Sequence, residues 1–319
     1  MPGTEKRARN FLFTISVAGE GNEHKLLGIS NLRQVINAIS HTESDRIDTI
    51  SLAGHLNVDN ITVREAPFMG CIGEAAPNFM FEVAVDGTTV ARCRRISGLG
   101  VRWEVIENHE SNKITTQKLW GHRSYPEVTH DVVIDWQDGW ILYNYLKKVA
   151  EVVGPGDQFA EAKANCPYTV DVTITAKRQD GKNVAKWTLH RAWPTNWTPI
   201  SDLAADANDV GLETITWVVA PVSGGVGITE DMTTYFDSQH LVSTQWYDFV
   251  SKAFSVPEKK DLIISIYHPG AQPGKDKPVG KLKLFNAWPS EVTYGDLNAS
   301  DDAVLTRDIT ITFEGIRVI

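Results

Sequence analysis

The chain repeats its own sequence in an order that restricts how it can fold. Residues 10–19 (NFLFTISVAG) match residues 78–87 (NFMFEVAVDG). Residues 29–62 then match residues 96–129 without a gap at a shift of 67 positions, and 12 of these 34 positions are identical. The two front segments therefore predict two copies of one structural unit.

A second set of matches lies in the other part of the chain. Four pairs of short segments agree: 142–148 with 246–252, 184–189 with 279–284, 191–194 (RAWP) with 286–289 (NAWP), and 214–217 (TITW) with 310–313 (TITF). Along the chain the order is front, front, back, back. This order predicts that one unit is inserted into the other, as is tolerated where both ends of a unit meet at a surface loop.

The nesting predicts a domain division. Residues 10–67 and 238–319 form a discontinuous outer domain, and residues 78–222 form the inserted domain. Residues 68–77 and 223–237 are predicted linkers, because both stretches are rich in Gly, Pro and polar residues.

Most of the periodicity is that of β-strands. Phe79, Phe81, Val83 and Val85 alternate with more polar residues, as in a half-buried strand. One helix per unit is predicted, at 140–153 and at 244–255, from apolar residues at helical spacing. The predicted fold class is mainly β, with two small antiparallel barrel or sandwich units and one flanking helix on each.

Composition excludes several classes of function. The formal charge of −9 disfavours tight binding of nucleic acid phosphates. Cys71, Cys93 and Cys166 form no C-x-x-C pair and are interpreted as small hydrophobic residues of a reducing compartment. No apolar run approaches 18 residues, so no membrane span is expected.

No motif for catalysis or for a cofactor emerges. The nine histidines lack the spacing of a zinc site, and 97–100 (SGLG) lacks the third glycine of a phosphate-binding loop. The acidic loops near 202–209 and 296–302 do not have calcium-loop spacing. The sequence therefore predicts a protein that is not an enzyme and needs no cofactor or metal.

The order of motifs in 78–222 resembles that of the tail tube proteins of contractile phages and related injection systems. It comprises SGLG at 97–100, the acidic EVIE strand at 104–107, KLWG at 118–121, a short helix, AWP at 192–194 and the closing ETITW strand at 213–217. The resemblance implies a small β-barrel unit in a six-membered ring, whose long hairpins join those of neighbours around a channel. It also implies that rings stack through an extended loop.

The resemblance, combined with strand parity, assigns two sets of residues. In a barrel strand one parity enters the core and the other faces the channel. The expected lumen-facing residues are Glu104, Asp131, Thr214, Thr216, Asp308, Thr310 and Thr312. The expected ring-stacking residues are Glu107, His109, Glu110, Asn112 and Lys113 of the inner unit, and Glu43, Asp45 and Arg46 of the outer unit.

The expected function is that of a structural virion protein that forms the tail tube, a conduit through which DNA or effectors pass without specific binding. Two units per chain imply trimeric, pseudo-hexameric rings, with six copies in two stacked rings as the alternative. Tail sheath and baseplate or hub proteins are the implied partners, and the location is the virion tail after assembly in the host cytoplasm. Two alternatives are a tube initiator or adaptor at the baseplate or tail end, and a soluble carbohydrate-binding module that uses exposed tryptophans.

Overall fold

The fold is taken from a computed structural model. It describes residues 11–19, 21, 23–41, 50–65, 80–109, 115–133, 141–152, 168–177, 181, 183–199, 212–220, 225–231, 244–298 and 306–319.

The chain is mainly β, as predicted. The strands before the first helix are β1 (Leu12–Val17), β2 (His24–Leu26), β3 (Gly28–Ser30), β4 (Gln34–His41), β5 (Ile50–Val58), β6 (Ile61–Glu65), β7 (Met80–Val85), β8 (Thr88–Ser97), β9 (Gly100–Asn108), β10 (Gln117–Ser124) and β11 (Val128–Val133). The later strands are β12 (Val170–Lys177), β13 (Asn183–Thr198), β14 (Leu212–Val219), β15 (Ile228–Asp231), β16 (Lys260–Tyr267), β17 (Gly280–Tyr294), β18 (Leu297–Asn298), β19 (Arg307–Thr312) and β20 (Gly315–Val318).

Two large antiparallel sheets contain these strands except β4 and β5, which form a two-stranded sheet. One runs β2-β1-β16-β17-β19-β6-β3, so C-terminal strands lie between N-terminal strands in it. The other runs β11-β14-β13-β12-β7-β8, and because β8 also pairs with β11 this path returns to its start. These pairings support the nested arrangement, whereas the domain bounds themselves stay a prediction.

The two repeated units share their strand registers almost residue for residue. β4 pairs with β5, and β9 with β10, with the register shift at the same place: Ile36 is opposite Leu56, as Trp103 is opposite Arg123. Ala287 faces Lys260, as Ala192 faces Val170. The repeat in the sequence is thus a repeat of strand pairing and of its β-bulges.

One predicted match is wrong by two residues. The sequence aligned Thr310 with Thr214, but Thr62 pairs with Thr310 where its counterpart Thr129 pairs with Thr216. Thr310 therefore corresponds to Thr216. The alternation of polar and apolar residues is kept after a slip of two positions, and the pairing with the neighbouring strand identifies the correct alignment.

Both predicted helices are confirmed. α1 spans Ile141–Val152, and α2 spans Thr244–Ser251 and continues as a short 3-10 helix, Lys252–Phe254. The buried side chains of α2 are Trp246, Phe249 and Val250, at helical spacing. The Trp246 and Phe249 rings stack with centroids 5.2 Å apart.

The stretch predicted as the second linker, 223–237, contains a strand. β15 pairs with β13, placing Ile228 opposite Leu189. β20 pairs in the same way with β17, placing Ile316 opposite Leu284. β15 is therefore the closing strand of the inner unit, and it was missed because its four residues, ITED, have little apolar periodicity.

His130 is a fully buried histidine in β11 at the repeat position of Val63. Neither ring nitrogen has a hydrogen-bond partner among the described residues, and burial lowers its pKa to about 3. Because the pKa is lower in the folded state than in the unfolded state, stability from this group is present above about pH 6.5 and is lost as the pH falls towards 3.

We expect His130→Val to remove this loss. The substitution changes the free energy of unfolding at each pH. We expect this change to be more favourable by about 3 kcal/mol at pH 4 than at pH 7.5. Urea denaturation at both pH values measures this difference. His268→Val, at an exposed position, is the control; the same gain in both variants would contradict the assignment.

Candidate channel face and unit junction

Polar residues of the outer sheet lie on one face in register. Thr310 of β19 is opposite Thr62 of β6 and opposite Glu291 of β17. Its hydroxyl is 3.4 Å from that of Thr62 and 3.5 Å from a carboxylate oxygen of Glu291. Arg102 of β9 is opposite Glu291, and Glu104 lies two residues further along the same face. Glu104 and Thr310 thus share a face.

Asp308 lies on the same face, but its charge is paired. It receives two hydrogen bonds from the Arg64 guanidinium, both 2.7 Å long. This pairing raises the pKa of Arg64, with the hydrogen bond to Asp308 as the largest cause. Because Arg102 also lies opposite Glu291, the face carries both signs of charge rather than carboxylates alone.

The inner sheet has a corresponding polar face. Thr214 donates a 2.8 Å hydrogen bond to Asp131, and the hydroxyls of Thr129 and Thr216 are 3.1 Å apart. The structure thus brings Asp131, Thr214 and Thr216 together. Thr216 is only 9% exposed in a single chain.

Thr312 does not share the solvent-facing position expected for it. Its side chain is fully buried, and its hydroxyl has no hydrogen-bond partner among the described residues. It pairs with the fully buried Trp288, beyond the register shift of β17 between Pro289 and Glu291. The bulge lies in β17 and leaves the alternation of β19 intact, so Thr312 keeps the parity of Thr310. Parity alone does not show that the end of this face beside Trp288 is buried.

The residues expected to make ring-stacking loops are only partly described. Glu107 and His109 lie at the exposed end of the β9 and β10 hairpin, each with a side chain that is 47% exposed. Glu110, Asn112, Lys113, Glu43, Asp45 and Arg46 lie outside the described residues. Their role stays a prediction.

The hairpin of β9 and β10 joins the inner unit to the outer sheet. Gly100, Val101 and Arg102 pair with Thr293, Val292 and Glu291 of β17. A Cβ atom on Gly100 would lie 2.6 Å from the Val292 carbonyl oxygen, so this close approach needs glycine.

Side chains fix the hairpin against the outer unit. The Trp103 indole donates a 2.8 Å hydrogen bond to the carbonyl of Ala253. Arg123 donates to the carbonyls of Phe254 and Ser255 at 2.9 and 2.8 Å. Both residues therefore contact the end of the second helical segment.

A buried ionic cluster also crosses between the units. Arg307 of β19 contacts Glu65 of β6, with an Nε to Oε1 distance of 2.5 Å, and lies 3.3 Å from both carboxylate oxygens of Glu230 in β15. The three side chains are at most 2% exposed. His24 and Trp246 contact Glu65, and Tyr294 contacts Glu230.

The two carboxylates of this cluster differ in pKa. Glu65 has a pKa lowered to about 2: its burial, which alone would raise the value, is outweighed by Arg307 and by the contacts from His24 and Trp246. Burial raises the pKa of Glu230 to about 7, and the nearby Glu65 charge adds to this rise. Arg307 therefore contacts one carboxylate that is ionised even at low pH, Glu65, and one that loses its proton only near pH 7, Glu230.

Sequence reasoning missed this cluster, although parity carried a signal. Glu65 follows Ile61 and Val63 at the buried parity of β6, and Arg307 precedes Ile309 and Ile311 at the buried parity of β19. A charged residue at a core position implies a buried partner.

Other candidate sites receive no support from the described part of the chain. It contains no group of three or more His, Cys, Asp or Glu side chains suited to a metal ion. Its helices include none long and apolar enough to span a bilayer. Among its tryptophans only Trp120, at 37%, belongs to the strongly exposed apolar residues, and Trp193 is half-buried against Tyr168. Cys93 is buried, as expected.

The fold defines a mainly β protein of two repeated antiparallel units. The family described as T4-like virus tail tube protein gp19 matches residues 77–220 and 230–317. The matched residues make up more than half of the chain, and the chain belongs to this family. Membership supports a structural role like that of a tail tube protein, and the resemblance drawn from the sequence motifs is confirmed.

Several solved structures contain chains similar to this one. A chain of an extracellular contractile injection system, the PVC sheath-tube complex in its extended state, is 18% identical over 48% of this chain and 88% of its own, with a TM-score of 0.37. The tube terminating cap of the anti-feeding prophage is 18% identical over 48% and 88%, with a TM-score of 0.36. Hcp1 from Flavobacterium johnsoniae is 10% identical over 48% and 96%, with a TM-score of 0.24. No curated protein matches the chain.

Proposed function

We propose that this chain forms the tube of a viral tail or related injection machine, with three copies in each pseudo-sixfold ring. Rings stack into a conduit for DNA or effector proteins, and sheath and baseplate or hub proteins are the further partners. The chain assembles in the host cytoplasm and ends in the virion tail. It acts by structure rather than by catalysis.

The observation that carries the proposal is the continuity of the sheet across the two units. β9 of the inner unit extends β17 of the outer unit, and the polar residues on the two strands stay in register. A wall that encloses a channel needs this kind of edge-to-edge continuation, because an unpaired edge leaves backbone donors and acceptors open to other chains.

The composition of the polar face supports passage without adhesion. Thr62, Thr310, Thr214 and Thr216 supply hydroxyls, and Asp308 is neutralised by Arg64. Such a face has little net attraction for DNA phosphates. The proposed lumen residues are Glu104, Asp131, Thr214, Thr216, Asp308 and Thr310.

A charge reversal tests the proposed lumen. In the triple variant Glu104→Lys, Asp131→Lys and Asp308→Lys, each site changes from −1 to +1. Rings and tubes should persist, but short double-stranded DNA should now sediment with them at low salt and be released as salt rises.

The matched control is Asp248→Lys, Glu258→Lys and Asp276→Lys, three exposed positions off this face. It makes the same change in charge. Equal DNA retention by the two variants, or loss of assembly in the first alone through a buried contact between copies, would overturn the lumen assignment.

Ring stoichiometry is open to a direct measurement. Each chain has a mass of 35.4 kDa, so native mass spectrometry of isolated rings should give three chain masses. Six chain masses in one ring layer would contradict the trimer.

A tube initiator or adaptor is the second candidate. The two units differ where they would have to be alike in a uniform tube, since Arg33 stands at the repeat position of Gly100. Filament length separates the candidates: a tube protein stacks into long filaments, whereas an adaptor stops at single or paired rings.

A further inference from the structure

The buried ionic cluster is not part of the pattern that the two units repeat. Glu65 pairs with Arg307 across β6 and β19 of the outer unit. At the corresponding place in the inner unit, Val132 pairs with Glu213 across β11 and β14. The pair of opposite charges therefore occurs in one unit only, so the fold that the units share does not require it.

The third charged member of the cluster, Glu230, is likewise confined to one unit. It lies in β15 opposite Trp187 of β13. At the corresponding place in the outer unit, Val318 of β20 lies opposite Leu282 and is 76% exposed. The Glu230 side chain, in contrast, is only 1% exposed. The cluster therefore belongs to the contact between the two units.

Groups from three elements of the outer unit contact Glu230. The Arg307 guanidinium of β19 lies 3.3 Å from both of its carboxylate oxygens, and the Tyr294 hydroxyl of β17 donates a hydrogen bond to one of them. Tyr247 of α2 donates a 3.1 Å hydrogen bond to its backbone carbonyl. Glu65 of β6 places a second negative charge nearby. The side chain and the backbone of Glu230 thus both attach β15 to the outer unit.

The charges of the cluster depend on the protonation of Glu230. Arg307 and Glu65 form a pair that is neutral as a whole, and Glu65 also contacts His24 and Trp246. With His24 neutral, the cluster therefore has no net charge when Glu230 is protonated and a charge of −1 when it is ionised. A buried charge that shares its partner with another carboxylate is unfavourable.

Glu230 lies on a short strand at the edge of its sheet. β15 has four residues, and among the described strands it pairs only with β13. A short edge strand can open locally at a lower free energy than that of global unfolding. Because the Glu230 carboxylate reaches water when β15 opens, its ionisation is linked to this opening.

We propose that Glu230 is a proton-controlled latch between the two units of the chain. When its carboxyl group is protonated, β15 stays closed against the outer unit. When the group is ionised, β15 opens locally and the carboxylate is hydrated. The step transfers the carboxyl proton to solvent and breaks no other covalent bond. The inference concerns a single chain and does not depend on the proposed function.

The pH range of the latch follows from the two states of Glu230. Its pKa is about 7 in the closed state, because burial raises it from the ordinary value of 4.5 that applies in water. The closed state is therefore fully favoured below pH 4.5, and this preference is lost as the pH rises through 7. Between pH 5.5 and pH 8.5 the equilibrium constant for opening should rise about 30-fold.

Amide hydrogen exchange of the unsubstituted chain tests the latch. Peptides that cover β15 should lose about 30-fold of their protection between pH 5.5 and pH 8.5, after correction for the direct effect of pH on exchange. Peptides from β12, which lies between β13 and β7, should keep their protection and so exclude a general loosening. Equal protection of β15 at the two pH values would overturn the inference.

A matched pair of variants tests the assignment to Glu230. Glu230→Gln keeps the shape of the side chain but cannot ionise, so its β15 should be equally protected at the two pH values. Asp231→Asn removes a carboxylate from the next residue of the same strand and should retain the loss seen in the unsubstituted chain. Circular dichroism checks that both variants are folded. A loss that persists in Glu230→Gln, or that disappears in Asp231→Asn, would overturn the inference.

Discussion

Replacing Arg307 by methionine is expected to destabilise the fold by about 3–5 kcal/mol, because two buried carboxylates then lose their shared cation. Glu65 and Glu230 are at most 1% exposed, and neither can move its charge into water without opening the contact between the units. Urea denaturation at pH 8 should show the loss as a lower midpoint with an unchanged slope.

The pH dependence of this effect follows from Glu230. Its pKa of about 7 lies above its ordinary value, so its stabilising contribution is present below about pH 4.5 and is lost as the pH rises through 7. The cost of Arg307→Met should therefore be smaller at pH 5.5, where Glu230 is protonated, than at pH 8.

Arg64→Met is the matched control. This substitution removes the pair between Arg64 and Asp308, which are next in sequence to Glu65 and Arg307. The Arg64 side chain, however, is 58% exposed. Solvent compensates an exposed pair, so the loss should stay below about 1 kcal/mol. Similar losses for the two variants would show that burial does not strengthen the cluster.

Replacing Gly98 by alanine is the second change with a large expected effect. Gly98 has a φ of +80°, and its Cβ would lie 1.9 Å from the Glu127 carbonyl oxygen. The backbone must shift to relieve that overlap, so a loss of about 2–5 kcal/mol is expected from the left-handed conformation and the steric conflict together. Thermal unfolding followed by circular dichroism measures it.

The repeat supplies the control for this substitution. Asn31 occupies the same turn of the outer unit with a φ of 63° and is exposed. Asn31→Ala should lose only about 1 kcal/mol, from conformation alone. An equal loss of stability at both positions would show that the contact with Glu127 is not its cause.

Much of the fold could be predicted because the same pattern occurs twice. The alternation in β7, the spacing of Trp246 and Phe249, and the shift of 67 residues all reflect local rules or direct repetition. β15 could not be found in this way. Its pairing with β13 depends on a long-range contact, and four residues carry no period.

The site was less predictable for physical reasons. Parity placed Glu104, Asp131 and Asp308 on polar faces, but it could not show that Arg64 neutralises Asp308, since that pair depends on the register between β6 and β19. Parity also could not show that Thr312 is buried beside Trp288. The junction of β9 with β17 joins residues almost two hundred positions apart, and only the assembled fold reveals it.

Electron microscopy of the purified chain tests directly whether it forms a tube. We expect rings or stacked filaments with an open central hole and threefold or pseudo-sixfold averages. A monodisperse monomer of 35.4 kDa at high concentration, with no ring or filament in any field, would contradict it.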